Sequence, residues 1–172
     1  MSKLITTNII RVLFILIIQL ILLKRIDLTF QGFNYVHLTI YSIIIALLPF
    51  KTPKPLVIVI GFILGLIVDV FYDSLGVHAG ATTFIAYLRY YILMLLSPTE
   101  GYKKDTLTPH SYGVTWFLSY LGLLVFTHLL VLYSLEAFSP VYVKEIVLRT
   151  IFSFLASLFV LMIGTLIFNP KA

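Results

Sequence analysis

The feature that most limits what this chain can fold into is the length of its apolar runs. They fall at about residues 4–23, 33–50, 55–72, 77–96, 113–135 and 143–168, separated by short polar connections. A helix needs about 20 apolar residues to cross the hydrocarbon core of a bilayer. In lipid every backbone N–H and C=O must be bonded within the protein, so long unbroken apolar runs become helices. A barrel would instead show strands of roughly ten residues in apolar–polar alternation. Composition agrees: 60% of the 172 residues are hydrophobic and 11% are charged, against about 25% charged in a soluble domain. The sequence predicts an all-α integral membrane protein of six transmembrane helices in one compact bundle. The loops are too short to fold alone, so residues 1–172 read as a single domain. The second run is short and starts with polar residues, and its partial insertion would leave five spans.

The cations are scattered near run ends rather than clustered, which fits topology signals and not nucleic-acid binding. With the N-terminus in the cytoplasm, that side holds Lys3, Lys51, Lys54, Lys103, Lys104 and Lys171, while the far side holds Lys24, Arg25 and Lys144. The bias places both termini inside, the 73–78 turn outside and the 97–112 loop inside. Lys24-Arg25 follows the first run without a small-residue cleavage site, so that run reads as a retained span. There is no cysteine, which removes thiol catalysis and Cys-ligated metals.

The chain is organised around Gly61–Ala81, GFILGLIVDVFYDSLGVHAGA. Gly61, Gly65, Asp69 and Asp73 are four apart and share one helix face. The glycines allow close helix approach, and Asp69, one turn deeper than Asp73, is an intramembrane acid that needs a buried partner. Topology offers Arg149, near the same depth at the start of the last run, so an Asp69–Arg149 ion pair is expected. Asp73 reads as an ordinary turn residue. His78 and His128 are expected in one polar layer at the same end. Arg11 and Arg89 read as helix-positioning cations that snorkel toward the inner face. The histidine spacing fits no compact zinc motif, and two acids on one helix are poorly placed to share a proton as an aspartyl dyad does. No catalytic residue, metal or cofactor is therefore expected.

The six-run plan, and above all Gly65, Asp69, Asp73, Gly76, His78 and Ala79 in the 61–81 stretch, resembles MreD, the rod shape-determining membrane protein family. The resemblance implies a fold like the substrate-binding S-components of energy-coupling-factor transporters. It also implies a non-catalytic scaffold in the bacterial cytoplasmic (inner) membrane that helps regulate cell shape and lateral peptidoglycan synthesis within the elongasome. Its implied partners are an MreC-like bitopic membrane protein and, indirectly, the MreB filament and the RodA–transpeptidase synthase, with homodimerisation in the complex left open. The other function class is a small-molecule-binding subunit of a vitamin-type transporter, with an outward pocket lined by Asp69, His78, His128 and Arg149. Against it, S-components resemble one another in an alanine-bearing first helix, whereas residues 4–23 contain neither Ala nor Gly.

Overall fold

The computed structural model describes residues 12–23, 28–30 and 33–168. Arg11, Lys24, Arg25 and the two chain ends lie outside the described residues. The elements in order are α1 (Val12–Ile21), running into a π-helical turn at Ile18–Leu22, the strands β1 (Leu28–Phe30) and β2 (Phe33–Val36), and the short helix α2 (Ile43–Ala46). Then come α3 (Lys54–Tyr72), α4 (Val77–Leu95), α5 (Pro109–Tyr112), α6 (Val114–Ala137), a 3₁₀ turn (Pro140–Tyr142) and α7 (Val143–Phe168). β1 and β2 pair antiparallel as a hairpin.

Three helices are long and apolar enough to cross a membrane: Lys54–Tyr72, Val114–Ala137 and Pro140–Thr165. At 1.5 Å per residue α3 is about 28 Å long, close to the hydrocarbon thickness of about 30 Å. α4 matches α3 in length, but His78, Thr82, Thr83 and Arg89 make it less apolar. α3 packs on α4, α4 on α6, and α6 on α7.

The exterior is apolar, and the buried polar groups lie within a mostly apolar interior. On α7 the exposed positions Val147, Ile151, Leu155 and Phe159 form one stripe, while Thr150, Ser153, Ser157 and Thr165 are buried on the other. α3 likewise shows Val59, Phe62, Ile63 and Leu66 to the outside and buries Gly61, Gly65 and Asp69. Lipid tails accept an apolar exterior at no cost, so helix association relies on close packing and interhelical hydrogen bonds.

The expected helical span at 33–50 is overturned. Phe33–Val36 is a strand, residues 37–40 have no regular structure, and only Ile43–Ala46 is helical. The physical reason is visible in the residues: Val36, Leu38 and Ile40 alternate with His37, Thr39 and Tyr41, a period of two that no helix presents. Non-helical backbone at this depth must find its partners in the protein, and here it finds them on side chains. Ser153 Oγ accepts from His37 N (2.9 Å) and Ser157 Oγ accepts from Thr39 N (3.0 Å). Gln19 is fully buried; its Oε1 accepts from Ile40 N (2.7 Å) and its Nε2 donates to Leu38 O (3.0 Å).

Arg89 closes the other end of this segment. It is 3% exposed and does not snorkel. Its Nη2 donates to Leu48 O and Pro49 O, and its Nε to Tyr120 Oη (3.0 Å), which in turn donates to Ala46 O (3.0 Å). Arg89 thus positions structure, as expected, by satisfying carbonyls at the C-terminal end of α2. The 97–108 loop then folds over this end. Asp105 accepts from Phe50 N and Lys51 N, Leu107 is fully buried, and Trp116 Nε1 donates to Leu96 O (2.8 Å). Burial pushes the Tyr102 phenol up to about 12; its hydroxyl donates to Leu93 O (2.7 Å). On the outer surface of the same end, Lys54 Nζ sits 4.1 Å from the Tyr87 ring centre and 4.6 Å from that of Tyr91, an aromatic–cation cluster of the kind found at membrane–water interfaces.

Candidate functional site

The opposite end of the bundle, where α3 and α6 finish and α4 and α7 begin, carries the polar residues singled out by sequence. It is built from the α3–α4 hairpin. A Cβ on Gly65 would lie 2.6 Å from Ala79 N, and one on Gly61 would lie 2.8 Å from Ala86 Cβ and 2.9 Å from Thr82 O. Only glycine allows the two helices this separation, so both positions act as packing space, as expected.

The close approach brings Asp69 under the first turn of α4. Its Oδ1 accepts from His78 N (2.9 Å) and Ser74 Oγ (2.5 Å), and its Oδ2 accepts from Ala79 N (2.8 Å). The residue at the N-cap itself, Gly76, has no side chain and sits at φ 83°. Asp69 therefore caps α4 from the preceding helix, satisfying two of its orphan donors and placing a carboxylate at the positive end of its dipole. The Asp69 carbonyl also accepts from Asp73 N and Ser74 N. Asp73 is exposed and left-handed (φ 54°), a conformation Asp adopts more readily than most residues. It is the turn residue the sequence suggested.

The expected Asp69–Arg149 ion pair is not formed. Arg149 Nη1 reaches Glu136 Oε1 (3.2 Å), and its guanidinium stands 5.4 Å from the Tyr133 ring centre. Two things redirect it: Asp69 is already engaged by the first turn of α4 and by Ser74, and α6 runs on to Ala137, which brings Glu136, expected in a loop, into its last turn.

His78 and His128 do share a layer, and a residue the sequence reading missed joins them. Tyr41 Oη lies 2.8 Å from His78 Nδ1 and 2.8 Å from His128 Nε2. Tyr41 and His128 are fully buried and His78 nearly so. One hydroxyl between two imidazole nitrogens donates to one and accepts from the other, so the two rings must present opposite faces, one N–H and one lone pair. The unit ties the 37–49 segment to α4 and α6. The only sequence signal for Tyr41 was its place in the alternation of residues 36–41.

Above this layer lies a cavity of about 290 Å³. Tyr72, Ser74 and His78 line one wall, and Tyr133, Glu136 and Arg149 the other, with His37 between them. Tyr133 Oη is bound to Ser153 Oγ (2.6 Å) and Tyr72 Oη to Gln19 Nε2 (2.9 Å). The hydroxyls of Tyr72, Ser74 and Tyr133 are thus bonded within the protein, and among the described lining residues Glu136 is the one carboxylate. Of the pocket foreseen from sequence, His78 and Arg149 line the cavity, while Asp69 and His128 lie beneath it.

The aspartyl arrangement weighed from sequence is not formed, since Asp69 is buried and Asp73 exposed. Ser74 Oγ donates to Asp69, His78 Nδ1 is engaged by Tyr41 rather than by a serine, and Asp69 and Asp73 point to different environments. Among the described residues no group of three His, Asp or Glu side chains could hold a metal ion. Comparison with protein-family models, with characterised proteins and with solved structures yields no match.

Proposed function

We propose that this protein is a non-catalytic, multi-pass scaffold of the MreD type in the bacterial cytoplasmic membrane, with both termini cytoplasmic. It would bind an MreC-like bitopic protein and so support cell shape and lateral peptidoglycan synthesis. The observation that carries the reading is a groove of about 600 Å³ on the outward face of the α3–α4 hairpin. Its floor is Gly76, Ala79, Gly80 and Thr83, and its walls include Phe62, Leu66, Phe84 and Tyr87. Small residues between large apolar ones let a single transmembrane helix approach closely in lipid, where packing drives association. The same hairpin carries the Gly65–Asp69–Gly76 pattern on which the resemblance rests, so the motif shapes the surface that the partner would use.

The test is co-purification with an MreC-like protein. Thr83 hydrogen-bonds only its own helix, at Ala79 O, so Thr83→Trp fills the groove without disturbing the hairpin's buried contacts. It should lower recovery at least fivefold, while Leu155→Trp on the exposed face of α7 should not. Equal recovery from both variants would count against the groove.

A transporter-subunit reading draws on the cavity lined by His78 and Arg149. It is separated by ligand uptake in vesicles, which the scaffold reading does not expect.

A further inference from the structure

Arg89, toward the C-terminal end of α4, is held by neutral groups that leave its charge uncompensated. Its Nε and Nη2 meet the Tyr120 hydroxyl and the Leu48 and Pro49 carbonyls. Among the described residues no carboxylate pairs with it. The two acids of the nearby loop are engaged elsewhere: Glu100 pairs with Lys103, and Asp105 Oδ1 accepts from Lys51 N (2.8 Å). A charge this buried in a membrane protein calls for a partner or a task.

The same guanidinium lines a cavity of about 160 Å³ between the first turn of α3 and the last turns of α4. No described residue accepts from Arg89 Nη1, yet that nitrogen is not sealed in the interior. Lys54 is a second cation on the wall. It is half-buried, with its Nζ 4.1 Å from the Tyr87 ring centre and 3.4 Å from Tyr91 Oη, both neutral groups. Lys54 is also the first residue of α3, so the positive end of that helix dipole adds to the same wall. Two cations and a helix N-terminus thus meet in one space that no carboxylate lines.

The volume limits what can enter. About 160 Å³ is below the about 300–1,000 Å³ of ordinary ligand pockets, so the cavity takes one small anionic group. Its level supplies one, because the Lys54–Tyr87–Tyr91 cluster marks a membrane–water interface, where lipid phosphates lie. Basic pockets between membrane helices hold such headgroups. Beyond Lys54 on α3, Leu56 and Val59 are about half exposed and apolar, so a bound lipid would keep its chains in hydrocarbon. We propose that this cavity binds the phosphate of an anionic phospholipid, with Arg89 Nη1 and Lys54 Nζ as its contacts. The site does not depend on the scaffold reading, which uses the outward groove farther along the hairpin.

The experiment is native mass spectrometry of the full chain in detergent, titrated with dihexanoyl phosphatidylglycerol, dihexanoyl phosphatidylcholine or inorganic phosphate. Saturable binding of the first, about fivefold or more tighter than either of the others, is the expected pattern. Lys54→Gln leaves the Arg89 hydrogen bonds in place and should weaken phosphatidylglycerol binding about fivefold. Lys103→Gln makes the same change in net charge at an exposed position paired with Glu100, and should leave binding within about twofold. Phosphate binding as tightly as phosphatidylglycerol would overturn the lipid and identify a soluble anion. Equal binding of the two lipids, or equal effects of the two lysine variants, would overturn the site.

Discussion

Replacing Asp69 by alanine removes an acceptor that three donors share, and the structure sets the scale of the loss. His78 N and Ala79 N would be left without partners in a buried, low-dielectric site. Each orphaned buried donor costs about 1–3 kcal/mol. Loss of the charge from the helix N-terminus adds about 0.3–1 kcal/mol, and up to about 2 when partly buried. The sum is about 2–8 kcal/mol, offset in part where water reaches the Ser74 side of the turn. Asn keeps one acceptor and caps nearly as well as Asp, so Asp69→Asn should lose about 1–2 kcal/mol. No neighbour substitutes, because Gly76 at the N-cap has a positive φ that disfavours any side chain. Unfolding in mixed micelles measures the total, and amide exchange at His78 and Ala79 reads the first turn of α4 directly. Asp69→Ala within about 0.5 kcal/mol of wild type, with protected amides at both positions, would refute the capping role. The same titration on Arg149→Ala and the double variant should give a coupling below about 0.5 kcal/mol, the additivity of sites that do not interact.

Three further outcomes follow from the packing. Gly65→Ala should destabilise the hairpin more than Gly61→Ala, since the added methyl meets Ala79 backbone at 2.4 and 2.6 Å, against the Ala86 side chain at 2.8 Å and the Thr82 carbonyl at 2.9 Å; comparative unfolding of the two variants decides. Tyr41→Phe should cost about 2–6 kcal/mol, from two imidazole nitrogens left unpaired at about 1–3 kcal/mol each, and a double-mutant cycle with His128→Leu should show coupling above about 1 kcal/mol. Arg89→Met should free the Leu48–Pro49 carbonyls and open the Phe50–Thr52 turn to limited proteolysis, whereas Lys at this site restores only part of the protection.

What could be read from sequence was the part held together by local spacing. Gly61, Gly65 and Asp69 fall on one face by helical period alone, and the ends of α3, α4 and α7 lie within a residue of where the apolar runs stop. What Asp69 bonds to was not legible, because it turns on how closely α4 approaches, and the glycines fix that only in three dimensions. The 33–50 segment failed for a related reason. Its polar residues looked like the frayed start of a span, but their partners are Gln19, Ser153 and Ser157, up to 118 residues away. The signal that existed was weak but real: alternation at residues 36–41, and on α7 a buried stripe of Thr150, Ser153 and Ser157 that a lipid-facing helix would not need. Arg149 was placed near the same end as Asp69 and given the wrong partner, because α6 runs two residues past its expected end and carries Glu136 to it first.

The most direct test of the scaffold reading is site-specific photo-crosslinking in membranes that contain an MreC-like partner. A photoreactive residue at Thr83, in the α3–α4 groove, should crosslink to the partner's single transmembrane helix, and the same residue at Leu155, on the exposed face of α7, should not. Crosslinks from Leu155 with none from Thr83 would contradict the account.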